Sequence, residues 1–230
     1  MKIVVVGDIH GHNSWKKILE TEEAWNKVIF LGDYVDSFTV SSKEQRDNLV
    51  ELLTLKDGNI IRLVGNHDLN YVPWNRAECS GYSHQTQGYC GQLIIDALMD
   101  GKIIPFYQQD NILFSHAGFT RTWLKTVYRA EHIEDISTDY DKFNWATLKF
   151  NYNSGYDSHG DTISQGPTWV RPPSLVEDSL DDYIQVVGHT VMPSIAVYRE
   201  KDIIWCCDTL GYGQYLVIDD GEFLIKKFTL

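Results

Sequence analysis

The ten residues KIVVVGDIHG, at positions 2–11, decide the fold class. Within them, Lys2–Val6 is a nearly uninterrupted run of valine and isoleucine, which is typical of a strand buried on both faces of a sheet. The run ends in glycine, aspartate and histidine. Beyond it, Trp15 and Ile18 follow helical spacing, with Asn13 as the expected cap. This part of the chain therefore predicts a strand followed by a helix.

The same alternation continues through the first half of the chain. Val28–Leu31 and Ile60–Val64 are further apolar runs, separated by a segment with helical spacing around Leu49. Because a β-α-β-α-β order requires crossover helices, it predicts a parallel sheet. A later helix is predicted around Tyr89–Met99, before a strand at Ile112–Ser115.

The closing part of the chain has a different pattern. After a strand at Ile184–Val187, four short apolar runs joined by tight turns predict an antiparallel meander. The runs are Ile195–Tyr198, Ile203–Cys207, Tyr215–Ile218 and Phe223–Phe228, with turns at Glu200-Lys201-Asp202 and Asp219-Asp220-Gly221. Residues 132–183 have no regular periodicity. We therefore expect one α/β (α+β) domain over residues 1–230, with a variable segment at about 132–183.

The composition excludes several classes of protein. Of the 230 residues, 43% are hydrophobic and 23% charged, as in ordinary globular proteins, and the longest apolar runs are too short to cross a bilayer. With 32 acidic and 20 basic residues the net charge is −12, so we expect no general nucleic-acid binding and no membrane binding. The cysteines form no C-x-x-C pair, and the N-terminal sequence becomes acidic before a signal-peptide core could form. Both features predict a cytoplasmic protein.

Polar side chains follow five of the predicted strands, each beside a glycine. The segments are Gly7–Gly11 (GDIHG), Gly32–Asp36 (GDYVD), Gly65–Asp68 (GNHD), Ser115–Gly118 (SHAG) and Gly188–Thr190 (GHT). Ligands bind at the carboxyl ends of strands in open α/β sheets, where glycine permits sharp turns. Of the eight histidines, five lie in or directly beside these segments: His10, His67, His116 and His189 inside them, and His12 directly after the first. Singly, each segment would be ordinary cap and turn chemistry, but together they predict a functional site.

The residue types in these segments indicate a metal centre. Asp8 and His10 are two apart, so they would project to the same side if strand geometry persisted. Carboxylate, imidazole and amide groups make a mixed oxygen and nitrogen ligand set, suited to Mn²⁺, Fe or Zn²⁺ rather than to a thiolate site. A carboxylate shared by two ions about 3.5–4 Å apart would favour in-line displacement at phosphorus.

In order and content, the five segments resemble the motifs of the calcineurin-like metallophosphoesterases. More narrowly, they resemble the phosphoprotein-phosphatase branch, including its bacterial and phage members. The resemblance spans about residues 2 to 215. It implies a β-sandwich flanked by helices and a hydrolase with a binuclear metal centre. The expected metal is Mn²⁺, with Fe, Zn²⁺ and Mg²⁺ as alternatives.

The resemblance also implies the metal ligands. Asp8 and His10 would bind the first ion, and Asp33 would bridge both ions. The remaining ligands of the second ion would be Asn66, His116 and His189. The nucleophile would be a metal-bridging water or hydroxide, and no covalent phosphoenzyme is expected.

Other residues receive supporting roles. By the same resemblance, His67 would be the general acid that protonates the leaving oxygen, oriented by Asp36. We expect His12 to support the site without binding metal, and Asp68 to be a structural hydrogen-bonding residue. Cys207-Asp208-Thr209-Leu210-Gly211 loosely resembles the Asp-Thr-Gly region of bacterial members and is assigned no role.

The chain departs from the branch pattern at Ser37-Phe38. The branch usually has Arg-Gly there, and that arginine contacts the substrate phosphate. Serine donates one neutral hydrogen bond, whereas arginine offers a charged bidentate fork. Trp169-Val170-Arg171-Pro172 is the best match for a second family arginine, so Arg171 is the predicted substrate-binding residue. Arg76 and Arg121 are alternative sources of positive charge.

The resemblance therefore predicts a metal-dependent phosphatase that hydrolyses phosphate monoesters. Its expected substrates are proteins phosphorylated on serine, threonine or tyrosine, or small phosphoesters. Asp36 favours this function over the diadenosine-polyphosphate hydrolases of the same family, which tend to lack that aspartate. The absent arginine instead favours a nucleotide or dinucleotide polyphosphate hydrolase. A non-catalytic metal-binding protein is the third alternative.

Overall fold

The computed structural model describes residues 1–55, 58–74, 79–152, 160–198 and 203–229. The strands are β1 (Lys2–Val6), β2 (Lys27–Phe30), β3 (Ile60–Arg62), β4 (Phe106–Gln109), β5 (Ile112–Ser115), β6 (Ile184–Val187), β7 (Ala196–Tyr198), β8 (Ile204–Cys206), β9 (Gln214–Asp219) and β10 (Glu222–Lys227). The α-helices are α1 (Trp15–Thr21), α2 (Ser42–Thr54), α3 (Asn66–Leu69), α4 (His84–Met99) and α5 (Pro172–Glu177). A π-helical segment covers Trp123–Tyr128, and 3-10 turns cover Ile133–Asp135, Trp145–Leu148 and Leu210–Tyr212.

The strands form two five-stranded mixed sheets. The first has the order β10-β9-β1-β2-β3, with β1, β2 and β3 parallel and the other two strands antiparallel. The second has the order β4-β5-β6-β8-β7, with a parallel centre and antiparallel strands at both edges. The sheets pack face to face, with helices on the outside, which confirms the predicted fold class.

Strand β1 shows why the first apolar run is continuous. Ile3 and Val5 pack between the two sheets, together with residues of the second sheet such as Phe114. Val4 and Val6 belong to a different cluster, which lies under the helices on the outer face. Because successive side chains of a strand point to opposite faces, both faces of β1 are buried and each must be apolar.

The prediction of one closing meander is wrong. Strands β7 and β8 form an antiparallel pair in the second sheet, whereas β9 and β10 form one in the first sheet. Short apolar runs look alike in sequence whichever sheet they join. The predicted turn at Asp220 and Gly221 connects β9 to β10, and both residues have positive φ (46° and 85°), as a type I′ hairpin requires. The predicted turn Glu200-Lys201-Asp202 lies outside the described residues.

The sequence interpretation also missed strand β4. Its residues Phe106–Gln109 pair antiparallel with β5 across a tight turn at Asp110. Most of the strand is half-buried and polar, as at a sheet edge, so it has no apolar run. Helix α1 also differs, because Ser14 and not Asn13 is its N-cap residue, and its side chain makes no capping hydrogen bond.

The described part of residues 132–183 contains two short 3-10 turns and helix α5. Phe143 and Trp145 are buried in the core. Phe150 packs on Trp169, while Tyr152 is exposed. Among the described residues, no helix is both long and apolar enough to span a membrane.

Candidate metal centre

The five polar segments meet at one edge of the sandwich. Each of five strands delivers its polar segment at or shortly after its last residue, three of them from the first sheet and two from the second. The segments follow β1, β2, β3, β5 and β6 and bring together Asp8, His10, Asp33, Asp36, Asn66, His67, His116 and His189. Because these strands run parallel within each sheet, their carboxyl ends lie on the same side.

Asp33 lies at the centre of this cluster and is 1% exposed. Ligand atoms of Asp8, Asp33 and His116 lie within 4.8 Å of one another, and so do those of His10, Asp33 and His67. Asp33 Oδ2 is 3.4 Å from His116 Nε2 and 3.8 Å from His10 Nε2. One carboxylate is therefore shared by two groups that could each hold a metal ion.

Asn66 connects the remaining predicted ligands. Its Oδ1 lies 2.9 Å from His116 Nε2 and 2.9 Å from His189 Nδ1. Its Nδ2 is directed toward Cys79 Sγ, at 3.4 Å, which fixes the orientation of the amide. The backbone N–H of His189 donates to the carboxylate of Asp8, at 3.1 and 3.2 Å. The structure thus places all six predicted metal ligands in one cluster.

Backbone carbonyl groups orient two of the imidazole rings. His116 Nδ1 is 2.8 Å from the carbonyl oxygen of Leu31, and His10 Nδ1 is 3.0 Å from that of Val35. Because a carbonyl can only accept, each Nδ1 carries a proton and donates it. In the neutral ring Nε2 is then an acceptor, and it is directed toward Asp33. Metal-binding histidines commonly have their second nitrogen held in this way.

The donor set fits divalent metal ions. Asn66 Oδ1 and the Asp33 carboxylate are acceptors that converge on His116 Nε2, a position that a proton on the ring or a metal ion can fill. Among the described residues, His189 Nε2 and Asp208 Oδ2 are buried without a hydrogen-bond partner. Oxygen and imidazole ligands of this kind suit Mn²⁺, Fe or Zn²⁺.

The pKa values of the site residues, taken without bound metal, show that the cluster favours positive charge. Burial lowers the pKa of His116, but the carboxylates of Asp33 and Asp8 outweigh it and raise that pKa to about 9. Burial and the charge of Asp208 raise the pKa of Asp8 well above its ordinary value. Asp33 is also buried, which raises its pKa, but the neighbouring His116 and His67 hold the pKa far below the ordinary value.

His67 and Asp36 form a pair beside Asp33. His67 Nδ1 donates to Asp36 Oδ2 at 3.0 Å, and the His67 backbone N–H donates to Asp33 Oδ1 at 2.9 Å. Burial lowers the pKa of His67, but Asp33 and Asp36 raise it to about 9, so the ring is protonated at neutral pH. The hydroxyl of buried Tyr71 donates to the other oxygen of Asp36. Tyr71 lies outside every motif, so no sequence pattern predicts this contact.

Asp68 connects two of the strand-end segments, as expected of a structural residue. Its fully buried carboxylate accepts backbone N–H groups from Asp33, Tyr34 and Gly65, at 2.8 to 2.9 Å. These bonds fasten the segment after β2 to the segment after β3. His12 is exposed and belongs to neither group of candidate ligands, which agrees with the expectation that it does not bind metal.

Four site residues have left-handed backbone conformations. The φ angles are 42° at His10, 51° at Asp33, 67° at Asp36 and 61° at His189. Non-glycine residues rarely adopt positive φ, although asparagine, aspartate and histidine do so more often than others. Such residues persist only when the surrounding structure over-determines them, and they concentrate at functional sites.

Ser37 does not take the place of the missing arginine. Its Oγ accepts the backbone N–H groups of Thr39 and Val40, at 3.2 and 3.1 Å, and its own N–H donates to Gln45 of α2 at 3.3 Å. The serine is therefore engaged in a local turn. The next residue, Phe38, is 80% exposed.

Three arginines are predicted as possible sources of positive charge for the site, namely Arg171, Arg121 and Arg76. Arg121 pairs with Asp178 and Asp181, so the expectation that it supplies charge to the site is wrong. Arg171 lies beside the site, where its Nη1 is 3.4 Å from Thr190 Oγ1. The pKa of His189 is lowered first by burial, then by the charge of His116 and then by the charge of Arg171. Arg76 lies outside the described residues.

Comparisons with known proteins were made for the whole chain. The family model described as calcineurin-like phosphoesterase matches residues 1–212. A search of curated protein sequences finds no match.

Among solved structures, the chain is similar to a mutant cold-active protein tyrosine phosphatase, with TM-score 0.64, 17% identity and coverage of 98% of this chain and 77% of that chain. It is also similar to a metallophosphoesterase from Sphaerobacter thermophilus, with TM-score 0.55, 12% identity and coverage of 100% and 88%. A protein serine/threonine phosphatase from Saccharomyces cerevisiae gives TM-score 0.55, 15% identity and coverage of 100% and 80%. At these identities the structural similarity shows the fold.

Proposed function

Because the chain belongs to the calcineurin-like phosphoesterase family, we propose that it is a di-metal phosphatase that hydrolyses phosphate monoesters, with phosphorylated serine, threonine or tyrosine side chains of proteins as substrates. The observation that carries this proposal is the hydrogen-bonded pair of His67 and Asp36, adjacent to a carboxylate that two ligand groups share. A metal-binding protein without catalytic function would have no use for this pair.

Within this proposal the six ligands divide into two sets around Asp33. Asp8 and His10 would hold the first divalent ion, and Asp33 would be a ligand of both ions. The other ligands of the second ion are Asn66, His116 and His189. The ligand atoms that lie within 4.8 Å of one another are grouped differently, with Asp8 beside His116 and His10 beside His67. When bound, the two ions supply positive charge to the phosphoryl oxygens and activate a water molecule near neutral pH. Mn²⁺ is the metal we propose, since the mixed oxygen and imidazole set suits it.

The chain's own residues perform the proton transfer. His67 donates its proton to the leaving oxygen, which carries negative charge as the ester bond breaks. Asp36 accepts from His67 Nδ1, so the ring is held in one orientation, and Tyr71 fixes Asp36 in turn. The raised pKa of His67 keeps this proton available at neutral pH.

Localisation and domain organisation follow as parts of the same proposal. All four cysteines, Cys79, Cys90, Cys206 and Cys207, are free, which supports a reducing, cytoplasmic compartment. The two sheets share one core between them, which supports a single domain over residues 1–230.

Arg171 is proposed to bind the substrate phosphate. Replacing Arg171 by alanine is expected to raise KM and the inhibition constant of vanadate about 10- to 100-fold, because a charged hydrogen bond of ~1.5–3 kcal/mol is lost. The matched control is Arg121→Ala, which removes an arginine that is paired with aspartates elsewhere. Vanadate inhibition that is the same in Arg171→Ala and wild type would remove Arg171 from the site.

The second candidate function is hydrolysis of nucleotide or dinucleotide polyphosphates, which the serine at position 37 favours. Turnover of a phosphopeptide panel and of dinucleoside polyphosphates should be compared on the same Mn²⁺-loaded sample, with an aryl phosphate as reference. We expect kcat/KM to be at least about tenfold higher for phosphopeptides, a difference of ~1.4 kcal/mol in activation free energy. The reverse order would favour the second function. A protein inert toward all substrates with every divalent ion tested would favour the non-catalytic alternative.

A further inference from the structure

Asp208 follows β8 and lies between two segments of the metal centre. The backbone N–H of Cys207 donates to Val187 at 2.6 Å, which joins this segment to the one that carries His189. On the other side, a Cβ placed on Gly7 would lie 2.3 Å from the carbonyl oxygen of Cys207 and 3.2 Å from Asp208 Cα. Only glycine permits this approach, which brings Asp208 beside Asp8.

The burial of one carboxylate oxygen of Asp208 is not explained by any hydrogen bond in the described part of the chain. Asp208 is 7% exposed, and its Oδ2 has no hydrogen-bond partner among the described residues. Leaving a buried carboxylate oxygen without a hydrogen-bond partner destabilises a fold. By contrast, the buried carboxylate of Asp68 accepts three backbone N–H groups. Asp8, the neighbour of Asp208, accepts the backbone N–H of His189 and is in side-chain hydrogen-bond contact with Asp208 itself.

Asp208 is also not one of the direct ligands. It belongs to neither group whose ligand atoms lie within 4.8 Å of one another. Its charge acts on Asp8 and His10, the two residues proposed as ligands of the first ion alone. Carboxylates that act on a metal through its ligands typically change metal affinity about 10- to 100-fold.

We propose that Asp208 is a positioning residue of the metal centre, whose buried carboxylate, with Oδ2 unpaired, adds negative charge beside Asp8 and strengthens binding of the first divalent ion. The proposal rests on the proposed function, because it requires that metal ions bind at this cluster. It extends the centre to a sixth strand end, that of β8, and to a residue outside the five motifs.

The test measures metal binding and stability, without relying on activity. Asp208→Asn preserves the shape of the side chain and removes its charge. We expect the dissociation constant for Mn²⁺ at the weakened site to rise about 10- to 100-fold in calorimetric titration. The melting temperature of the metal-free protein should rise, because the amide can donate to Asp8 and repulsion between two buried carboxylates is removed. The increase in melting temperature on adding Mn²⁺ should become smaller.

Weaker Mn²⁺ binding combined with a higher melting temperature of the metal-free variant distinguishes this role from a structural one. Asp219→Asn is the matched control, because it removes the same charge from an exposed position at the end of β9. Unchanged Mn²⁺ affinity in Asp208→Asn, an equal change in the control, or a lower melting temperature of the metal-free variant would each overturn the proposal. Asp208→Ser, titrated in the same way, decides the question if the asparagine variant does not fold. If wild type binds no Mn²⁺ at all, the proposed function itself fails; if wild type binds it and Asp208→Asn binds equally well, only the role of Asp208 fails.

Discussion

Replacing His67 by asparagine is expected to lower kcat about 10²- to 10⁴-fold, the usual contribution of a general acid. Asparagine stays polar but cannot transfer a proton at neutral pH. Divalent ions should still bind, because the proposed ligand set does not include His67. The measurement is kcat on an aryl phosphate together with the metal content of the purified variant. The metal content of the variant is informative because a ligand atom of His67 lies within 4.8 Å of those of His10 and Asp33. Loss of a metal ion from the variant would therefore identify His67 as a ligand and contradict its role as the acid.

The same residue sets the expected pH dependence. The pKa of His67 is raised to about 9, so its proton is present below that pH and is lost as the pH rises through it. The positive charge of bound ions opposes this shift, so we expect kcat to fall on the alkaline side at or below pH 9. In His67→Asn that decline should disappear. His132→Asn replaces an exposed histidine and should keep both the rate and the pH profile of wild type.

Replacing Asp33 by asparagine is expected to have the second large effect. Both groups of candidate ligands include Asp33, so the substitution removes one charged ligand from each ion. We expect fewer than one tightly bound ion per chain, measured by elemental analysis after gel filtration, and a loss in kcat/KM of at least about 10³-fold. The amide oxygen of the variant can still accept the His67 N–H that Asp33 Oδ1 accepts at 2.9 Å, so the local hydrogen bond should persist.

The control for this variant is again Asp219→Asn, which changes the net charge equally but lies at the exposed end of β9. Wild-type metal content in Asp33→Asn would exclude a shared carboxylate at this position. A variant that retains both ions and loses only activity would instead assign Asp33 a role in orienting His67.

The strand ends that form the site could be predicted because parallel strands present their carboxyl ends together. The glycines beside Asp8, Asp33 and Asn66 marked where each strand had to end. The distribution of the closing strands over two sheets could not be predicted in the same way. Strands β8 and β9 are both buried and apolar, and nothing in their residues records which neighbour they pair with.

Residues that support the site were the part that sequence reasoning missed. Tyr71 reaches Asp36 from the residues that follow α3, and Asp208 reaches Asp8 from the end of β8. Both depend on packing between segments distant in the chain, which has no local pattern. The role of Ser37 in a turn was also hidden, because its partners are the backbone of the following residues and Gln45 of the next helix.

The left-handed backbone at His10, Asp33, Asp36 and His189 limits how this centre can change. Aspartate, asparagine, histidine and glycine tolerate that conformation best, whereas bulky or β-branched side chains do not. Glutamate and cysteine would bind metals equally well in an unstrained loop, but here each would have to overcome backbone strain as well. The backbone conformation therefore favours aspartate, asparagine and histidine at these four positions. Replacement by glutamate or by cysteine, which would introduce a sulfur ligand, is disfavoured there.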